Sequence, residues 1–329
     1  MKLLVASFGL TAVSLVAGCG GEVDGRPGSP GPIGTSEPPT LRACPNVRAA
    51  PGDRAPTANK VIARGSDIHA VAVDAKELFY SSALGSGGTL ELAAVPKTGG
   101  AARSVAPTLV YQLEADGDSL YLGGGGYGVA RIGKAGENAK EYAVDAFSFA
   151  LDATSLYTTS LMKGEIARVG KDSSEPPVTL ARGVGPQGIF VRDGYVYWAN
   201  YSAKTVARVA ATGGATDILA TFPAFTREVV VDCRYVYVSV GNYGDEVWRI
   251  PVGGGAAERF ANVGGALRLD AASLYVQNRE GTWRVSLRTG KVSDLGPGHG
   301  AIGGLASSIT LDDEAVYWTT GNSVVRAEK

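Results

Sequence analysis

One pattern recurs seven times between residue 60 and the end of the chain. Each copy is centred on an apolar residue followed by an aromatic one, and these aromatic residues are Phe79, Tyr121, Tyr157, Tyr197, Tyr237, Tyr275 and Tyr317. Their spacings are 42, 36, 40, 40, 38 and 42 residues. A fixed period of this length is typical of repeat architectures, in which each unit buries its faces against its neighbours. The chain is therefore expected to fold as a series of similar modules.

Each copy has the composition of four short strands, which we label A to D. Strand A ends at an Asp five residues before the aromatic residue: Asp74, Asp116, Asp152, Asp232, Asp270 or Asp312, with Arg192 and then Asp193 in the fourth copy. Strand B carries the aromatic residue, and strand C carries an Arg: Arg131, Arg168, Arg208, Arg249, Arg284 or Arg326, with Ala94 in the first copy. Gly-containing turns often follow, and no segment of the repeats has a helical period. We interpret the repeated Asp and Arg as structural residues, the Asp binding backbone N–H groups and the Arg lying over rings or pairing with carboxylates.

Four strands in about forty residues is the size of one blade of a β-propeller. The last copy ends after strand C, at Arg326, whereas the segment 60–65 before the first copy resembles the strand D sequence at 178–183. The N-terminal strand is therefore predicted to complete the last blade, which leaves no exposed sheet edge there. The predicted fold is an all-β, seven-bladed β-propeller of four-stranded blades over residues 60–329, with six blades as the alternative.

Two copies contain Val-Tyr-Trp, at 196–198 and 316–318, each with an apolar-x-Arg strand after it. This pattern resembles the YWTD repeats of low-density-lipoprotein-receptor-like propellers and is similar to bacterial NHL-like and TolB-like propellers. The resemblance covers residues 60–329 and implies a propeller without implying a substrate. No copy keeps the Asp of the YWTD quartet, and YWTD propellers usually have six blades.

The N-terminus has the features of an export signal. Met1 and Lys2 precede an apolar stretch that is too short for a permanent transmembrane helix, and Val16-Ala17-Gly18-Cys19 resembles the bacterial lipobox. The resemblance implies a signal peptide over 1–18 and a lipid on Cys19, which would anchor the protein to a membrane of the bacterial cell envelope. Gly20 in place of Asp favours the outer over the inner membrane. The alternative is an ordinary secretory signal with a chance cysteine.

Residues 19–59 are predicted to form a flexible tether, because 15 of the 40 residues from 20 to 59 are Gly or Pro. The tether contains Cys44, and Cys233 lies in the predicted A–B turn of blade five. An exported protein can form disulfides, and the tether is long enough for Cys44 to reach that face. We predict a Cys44–Cys233 disulfide, with two free thiols as the alternative.

Charge and composition exclude several function classes. The chain has 31 basic and 32 acidic residues, without the basic excess that nucleic-acid binding requires. With two His and three Cys, no multi-ligand zinc or iron–sulfur site, and no cofactor, is expected. The Gly-rich segment 123–128 has nucleotide-motif spacing but continues into a strand, whereas a phosphate site of that type requires a helix.

The candidate binding surface is the mouth of the channel, where the D–A and B–C loops of a propeller lie together. One residue per blade enters this mouth from strand A: His69, Tyr111, Phe147, Gln187, Arg227, Gly265 and Ser307. The B–C loops add Tyr127, Tyr201, Lys204, Asn242, Tyr243 and Arg279, and the loop entering blade seven adds His299. A mixed aromatic and polar ring is typical of a binding cleft, although these residues would also simply fill the mouth.

Two functions follow from this surface. The first is a binding or protein-interaction scaffold whose ligand is an unknown protein or small molecule. The alternative is an enzyme, a lyase or hydrolase with a site at the mouth that is metal-dependent or uses a histidine as general base. His69 and His299 belong to blades one and seven, which closure makes neighbours, so both imidazoles are predicted to approach one sector; two solvated surface histidines are the other interpretation.

Overall fold

The computed structural model describes residues 59–84, 89–108, 110–243, 245–299 and 308–329. These residues form 28 strands in seven separate four-stranded antiparallel sheets. No helix among them is long and apolar enough to cross a membrane. The predicted signal peptide, Cys19, the tether with Cys44, and Ser307 lie outside the described residues.

Each sheet is one blade, with its strands in the order A, B, C, D from the inside of the ring outwards. Blades one to three are β2 (Ser66–Val73), β3 (Glu77–Leu84), β4 (Thr89–Pro96) and β5 (Arg103–Ala106); β6 (Gln112–Asp116), β7 (Ser119–Gly124), β8 (Tyr127–Gly133) and β9 (Lys140–Ala146); and β10 (Ser148–Leu151), β11 (Ser155–Ser160), β12 (Glu165–Gly170) and β13 (Val178–Arg182). Blades four and five are β14 (Pro186–Arg192), β15 (Tyr195–Asn200), β16 (Thr205–Ala210) and β17 (Asp217–Thr221); and β18 (Thr226–Val231), β19 (Tyr235–Val240), β20 (Glu246–Pro251) and β21 (Glu258–Ala261). Blade six is β22 (Ala266–Leu269), β23 (Ser273–Gln277), β24 (Thr282–Ser286) and β25 (Val292–Gly296), and blade seven is β26 (Ile309–Leu311), β27 (Ala315–Thr319), β28 (Ser323–Glu328) and β1 (Lys60–Arg64).

The N-terminal strand closes the ring as the sequence predicts. Strand β1 pairs antiparallel with β28, from Lys60 opposite Arg326 to Arg64 opposite Ser323. The seventh blade is thus built from both ends of the propeller, and its strand C has no free edge. The seven-bladed prediction is confirmed, and the six-bladed alternative is wrong.

The repeated aromatic residues lie in the seams between blades. Tyr317 of blade seven and Tyr80 of blade one belong to one buried cluster, which also contains Ile62 of the closing strand and Val71 of β2. Fully burying a large aliphatic side chain contributes about 1.5–3 kcal/mol. A single blade cannot bury the apolar side chains on its two faces, so the stability of each blade depends on its two neighbours.

The repeated Asp residues of blades one, three, five, six and seven have the structural role that was predicted, whereas Asp116 of blade two accepts from Lys171. In blade seven, Oδ1 of Asp312 accepts hydrogen bonds of 2.8 Å from the N–H groups of Glu314 and Ala315, and Oδ2 accepts one of 3.1 Å from the Tyr317 hydroxyl. The same three acceptor contacts recur at Asp152, Asp232 and Asp270. Each Asp therefore fixes an A–B turn and orients the seam tyrosine of its own blade.

A lysine from the following blade binds many of these carboxylates, which the sequence analysis missed. The lysines that reach back across a seam are Lys97 to Asp312, Lys134 to Asp74 and Lys171 to Asp116, at 3.0, 2.5 and 2.5 Å. Lys329, at the end of blade seven, binds Asp270 of blade six at 2.9 Å. Burial alone would raise the pKa of Asp312, but hydrogen bonds from Lys97, the backbone and Tyr317 outweigh burial and lower it.

Four of the repeated Arg residues contact a ring or a carboxylate as predicted: Arg131, Arg208, Arg249 and Arg326. Arg168 instead donates to the backbone carbonyl of Ala211. The guanidinium of Arg208 lies 4.6 Å from the ring centre of Tyr195, and its Nε lies 3.2 Å from Asp217. Arg249 lies 4.5 Å over the ring of Tyr235. These contacts combine cation–π attraction with an ion pair on strand C.

Candidate functional site at the channel mouth

The chain direction within a blade decides which loops surround the mouth. Strand A runs away from the mouth, and strands B, C and D alternate, so every D–A and B–C loop returns to the same face. Asp67 and His69 lie at the start of β2, and His299 lies between β25 and β26, in the loop that enters blade seven. The closure of the ring at blade seven makes these two segments neighbours.

The two histidines lie side by side, as ring closure predicts. Their ring centres are 6.4 Å apart. Nε2 of His69 lies 3.2 Å from Oδ2 of Asp67. One ligand atom from each of Asp67, His69 and His299 lies within 4.8 Å of the others. His69 is only 8% exposed, which argues against a solvated surface histidine.

His299 is held in a restricted position. Its Nε2 is buried and has no hydrogen-bond partner. A Cβ added at Gly321, in the B–C turn of blade seven, would lie 3.0 Å from its Nδ1. Gly321 also has a φ of +84°, which disfavours any other residue. Desolvation lowers the pKa of His299; the charge of Asp67 opposes this effect, and His69 and Arg279 reinforce it.

An aromatic wall continues from the histidines into blade two. The ring of Tyr111 lies 5.6 Å from that of His69, and Tyr127 stacks on Tyr111 at 6.3 Å with 9° between the ring planes. Tyr127 is 67% exposed, so this row of rings runs from a buried imidazole out to solvent.

A second group of predicted residues meets between blades four and five. Tyr201 stacks on Phe225 at 4.3 Å, and Arg227 lies 4.8 Å over the Tyr201 ring. Arg227 also donates to the backbone carbonyl of Asn242, and Lys204 lies 5.6 Å over Phe225. Arg227, Tyr201, Lys204 and Asn242 therefore form one sector, and Phe225 is a member that the one-residue-per-blade alignment missed.

The remaining predicted mouth residues in the described part of the chain are Phe147, Gln187, Tyr243, Gly265 and Arg279. Phe147 is half-buried, and its backbone carbonyl accepts from the N–H of Gly125. Gln187 is buried, and its Oε1 has no partner. Tyr243 and Arg279 are exposed, and Gly265 contributes only backbone, its carbonyl accepting from the Ser239 hydroxyl.

Charged side chains from strand A occupy the channel beneath the mouth. Glu114, Glu228 and Arg268 come from β6, β18 and β22. Glu228 is 5% exposed, and desolvation raises its pKa to about 8 despite the nearby Arg268 and Arg227. Glu228 therefore carries a proton at neutral pH.

Exposed apolar side chains concentrate on the mouth face. Nine large hydrophobic side chains are exposed in the described part of the chain. Six of them lie on or next to B–C and D–A loops: Leu90, Tyr127, Leu161, Met162, Val184 and Tyr243. The other three, Val61, Val178 and Ile218, lie separately on outermost strands. A face that concentrates exposed apolar side chains in this way is typical of an interaction surface.

Comparison with known proteins supports the fold class. No family model and no curated protein matches the sequence. Similar solved structures include BamB from Moraxella catarrhalis, with 16% identity and a TM-score of 0.55. The match covers 80% of this chain and 85% of that chain. The WD40 β-propeller domain of Doa1 has 12% identity and a TM-score of 0.63, with 83% of this chain and 98% of that chain covered. A nidogen/laminin complex has 16% identity and a TM-score of 0.52, with 67% and 92% covered.

At these identities the similarity shows the fold and leaves the function open. The protein is a closed, seven-bladed β-propeller, and part of the predicted set of mouth residues forms two sectors.

Proposed function

We propose that this protein is a protein-interaction scaffold of the bacterial cell envelope, with a lipid anchor on Cys19 and the propeller mouth as its binding face. The proposal rests on the presence of six of the nine described exposed large hydrophobic side chains on the mouth face. Met162 is 86% exposed, Tyr243 is 76% exposed and Tyr127 is 67% exposed. Burying such side chains against a partner would supply the apolar centre of an interface, with the charged loop residues as its rim.

The similar structures agree with an interaction role. One of them was solved as a complex of nidogen with laminin, so at least one similar propeller is found bound to another protein. In the described part of the repeats, most of the repeated Asp and Arg side chains are used in turns and seams. A protein partner of the mouth is therefore favoured over a small molecule.

Site-specific photocrosslinking in cells tests the proposal. A photoreactive phenylalanine analogue replaces Met162 or Tyr243 on the mouth face, and Val178 or Ile218 on the outer strands as matched exposed controls. A defined crosslinked partner from the mouth positions, absent from the outer positions, is expected. The purified partner should then bind the wild type and lose affinity for the variant Y127S/M162S/Y243S, but not for V178S/I218S. Equal crosslinking or equal affinity at both surfaces would refute a mouth-directed scaffold.

A lyase or hydrolase at the mouth is the second candidate function. The single observation in its favour is that Asp67, His69 and His299 converge. An enzyme there would need a general base or a metal ion, and these side chains are the ones that would supply it. If Asp67, His69 and His299 bind no cation, the metal-dependent form of the enzyme candidate is refuted. The scaffold proposal does not depend on that result.

A further inference from the structure

We propose that Asp67, His69 and His299 form a binding site for one divalent first-row transition-metal ion, at the junction of blades seven and one. The proposal goes beyond the scaffold function and does not depend on it. It also revises the expectation that two histidines are too few for a metal site, because the third ligand is a carboxylate.

The donor set suits such an ion. Two imidazoles and one carboxylate are ligands of Zn²⁺, Fe²⁺, Co²⁺ and Ni²⁺, and three protein ligands leave coordination positions for water or another ligand. A hard cation such as Mg²⁺ or Ca²⁺ would instead require mostly oxygen ligands. The three side chains offer a single carboxylate, so the site discriminates against those ions.

The distances are close to those of a loaded site. Metal–ligand bonds of about 2.0–2.1 Å place neighbouring ligand atoms about 3.3 Å apart in a tetrahedral centre. Nε2 of His69 and Oδ2 of Asp67 are 3.2 Å apart, and all three ligand atoms lie within 4.8 Å. The Asp67 side chain is 56% exposed, so solvent and an ion can reach the site from its side.

The environment orients both imidazoles. His69 is buried against the Tyr111 ring at 5.6 Å, whereas the B–C turn of blade seven lies directly against Nδ1 of His299. Nε2 of His299 is buried without a partner, an arrangement that costs free energy unless something binds there. A metal ion bound by the three side chains would provide that partner. Among the described residues, Arg279 places a positive charge near His299, and solvent screens this charge because the Arg279 side chain is exposed.

Asp67 allows a test that leaves the backbone unchanged. Its φ is +53°, a left-handed conformation that Asn adopts readily. Asp67→Asn therefore removes the anionic ligand at little structural cost. Asp193→Asn is a matched control, because Asp193 has a φ of +48° and lies in an A–B turn on the face opposite the mouth.

The experiment uses the full chain, purified in detergent, oxidised and stripped of metal with a chelator. Co²⁺ is titrated while its visible d–d absorption is followed, and Zn²⁺ is then added to displace it. The expected result is one Co²⁺ per chain, a spectrum of low coordination number, displacement by Zn²⁺, and at least an approximately tenfold loss of affinity in Asp67→Asn and in His299→Ala. Asp193→Asn should bind Co²⁺ as the wild type does.

Two results would overturn the proposal. One is the absence of stoichiometric Co²⁺ binding by the wild type. The other is wild-type affinity in both Asp67→Asn and His299→Ala. If thermal unfolding shows that His299→Ala does not fold, the comparison of Asp67→Asn with Asp193→Asn decides alone.

Discussion

The guanidinium of Arg268 meets the carboxylate of Glu114 across the axis of the propeller, with 3.0 Å between Nη2 and Oε1. The two residues are 154 positions apart and belong to blades six and two, on opposite sides of the ring. Burial raises the pKa of Glu114, and the charge of Arg268 partly offsets this effect. This ion pair therefore ties together blades that share no seam and obstructs the channel beneath the mouth.

Removing Arg268 should destabilise the propeller more than removing both partners does. Arg268→Met leaves the Glu114 carboxylate without its counter-ion, and breaking one side of a buried pair costs about 3–5 kcal/mol. This pair is partly exposed, so we expect about 1–3 kcal/mol, a fall in Tm of several degrees. Arg268→Met/Glu114→Gln should recover at least half of that loss in thermal unfolding at pH 7.5. Purely additive effects of the two substitutions would show that the residues are not coupled.

Glu228 should make the stability of the protein fall as pH rises. Its pKa is raised to about 8 in the folded protein by desolvation, against 4.5 for the ordinary side chain. Between these values the unfolded chain releases the proton and the folded chain retains it, so the stabilisation is complete below pH 4.5 and is lost as pH approaches 8. The Tm of Glu228→Gln minus that of the wild type should therefore increase by several degrees from pH 5 to pH 8.5. Parallel Tm profiles of the two proteins over this range would contradict the assignment.

The Lys97–Asp312 ion pair should stabilise the seam between blade one and blade seven, where the ring closes. Lys97 of blade one binds Asp312 of blade seven at 3.0 Å and Glu314 at 3.4 Å. Lys97→Met keeps the aliphatic stem but leaves the Asp312 carboxylate without its cation. A fall in Tm of a few degrees is expected, together with faster proteolysis after Arg64, where β1 would detach first. Lys291→Met, at an exposed position between β24 and β25, is the control, and equal effects of both substitutions would rule out a special role of the seam.

The repeat pattern predicted the blades because the information that specifies them is local. The Asp and the aromatic residue five positions later contact each other within one hairpin, as Asp312 and Tyr317 do, so their spacing is preserved in the sequence. The blade number and the closing strand followed from counting such pairs and from the resemblance of 60–65 to a strand D.

Contacts between blades were harder to predict. The lysines of the seams lie 12 to 18 residues after the aromatic residue of their own blade, and several blades lack one, so no fixed spacing marks them. Glu114 and Arg268 stand at a position that is apolar in four of the other five blades and threonine in blade seven, and only the closed ring brings them together. Asp67 lies two residues before His69, but its role appears only when His299 arrives from the other end of the chain.

Lipid attachment is expected at Cys19 and at no other cysteine. Cells grown with an alkyne-tagged fatty acid should incorporate label into the wild type and into Cys44→Ser, and should fail to label Cys19→Ser. The labelled protein should sediment with the outer membrane rather than the inner one in a density gradient. Unlabelled wild-type protein released in soluble form would instead establish an ordinary secretory signal, the alternative interpretation of residues 1–19.

The predicted Cys44–Cys233 disulfide is linked to the prediction for Cys19. Cys233, in the A–B turn between β18 and β19, is disulfide-bonded, and the chain has only two other cysteines, both outside the described residues. If the sulfur of Cys19 carries a lipid, Cys44 is the only partner that remains for Cys233 within the chain. Peptide mapping without reduction should therefore recover a peptide pair linked through Cys44 and Cys233, and Cys44→Ser should expose one alkylatable thiol at Cys233. Removing a native disulfide typically costs about 2–5 kcal/mol, so Cys44→Ser should also lower Tm. A Cys19–Cys233 linkage would refute both the disulfide prediction and the lipid anchor, whereas free thiols at both Cys44 and Cys233 would refute the disulfide alone.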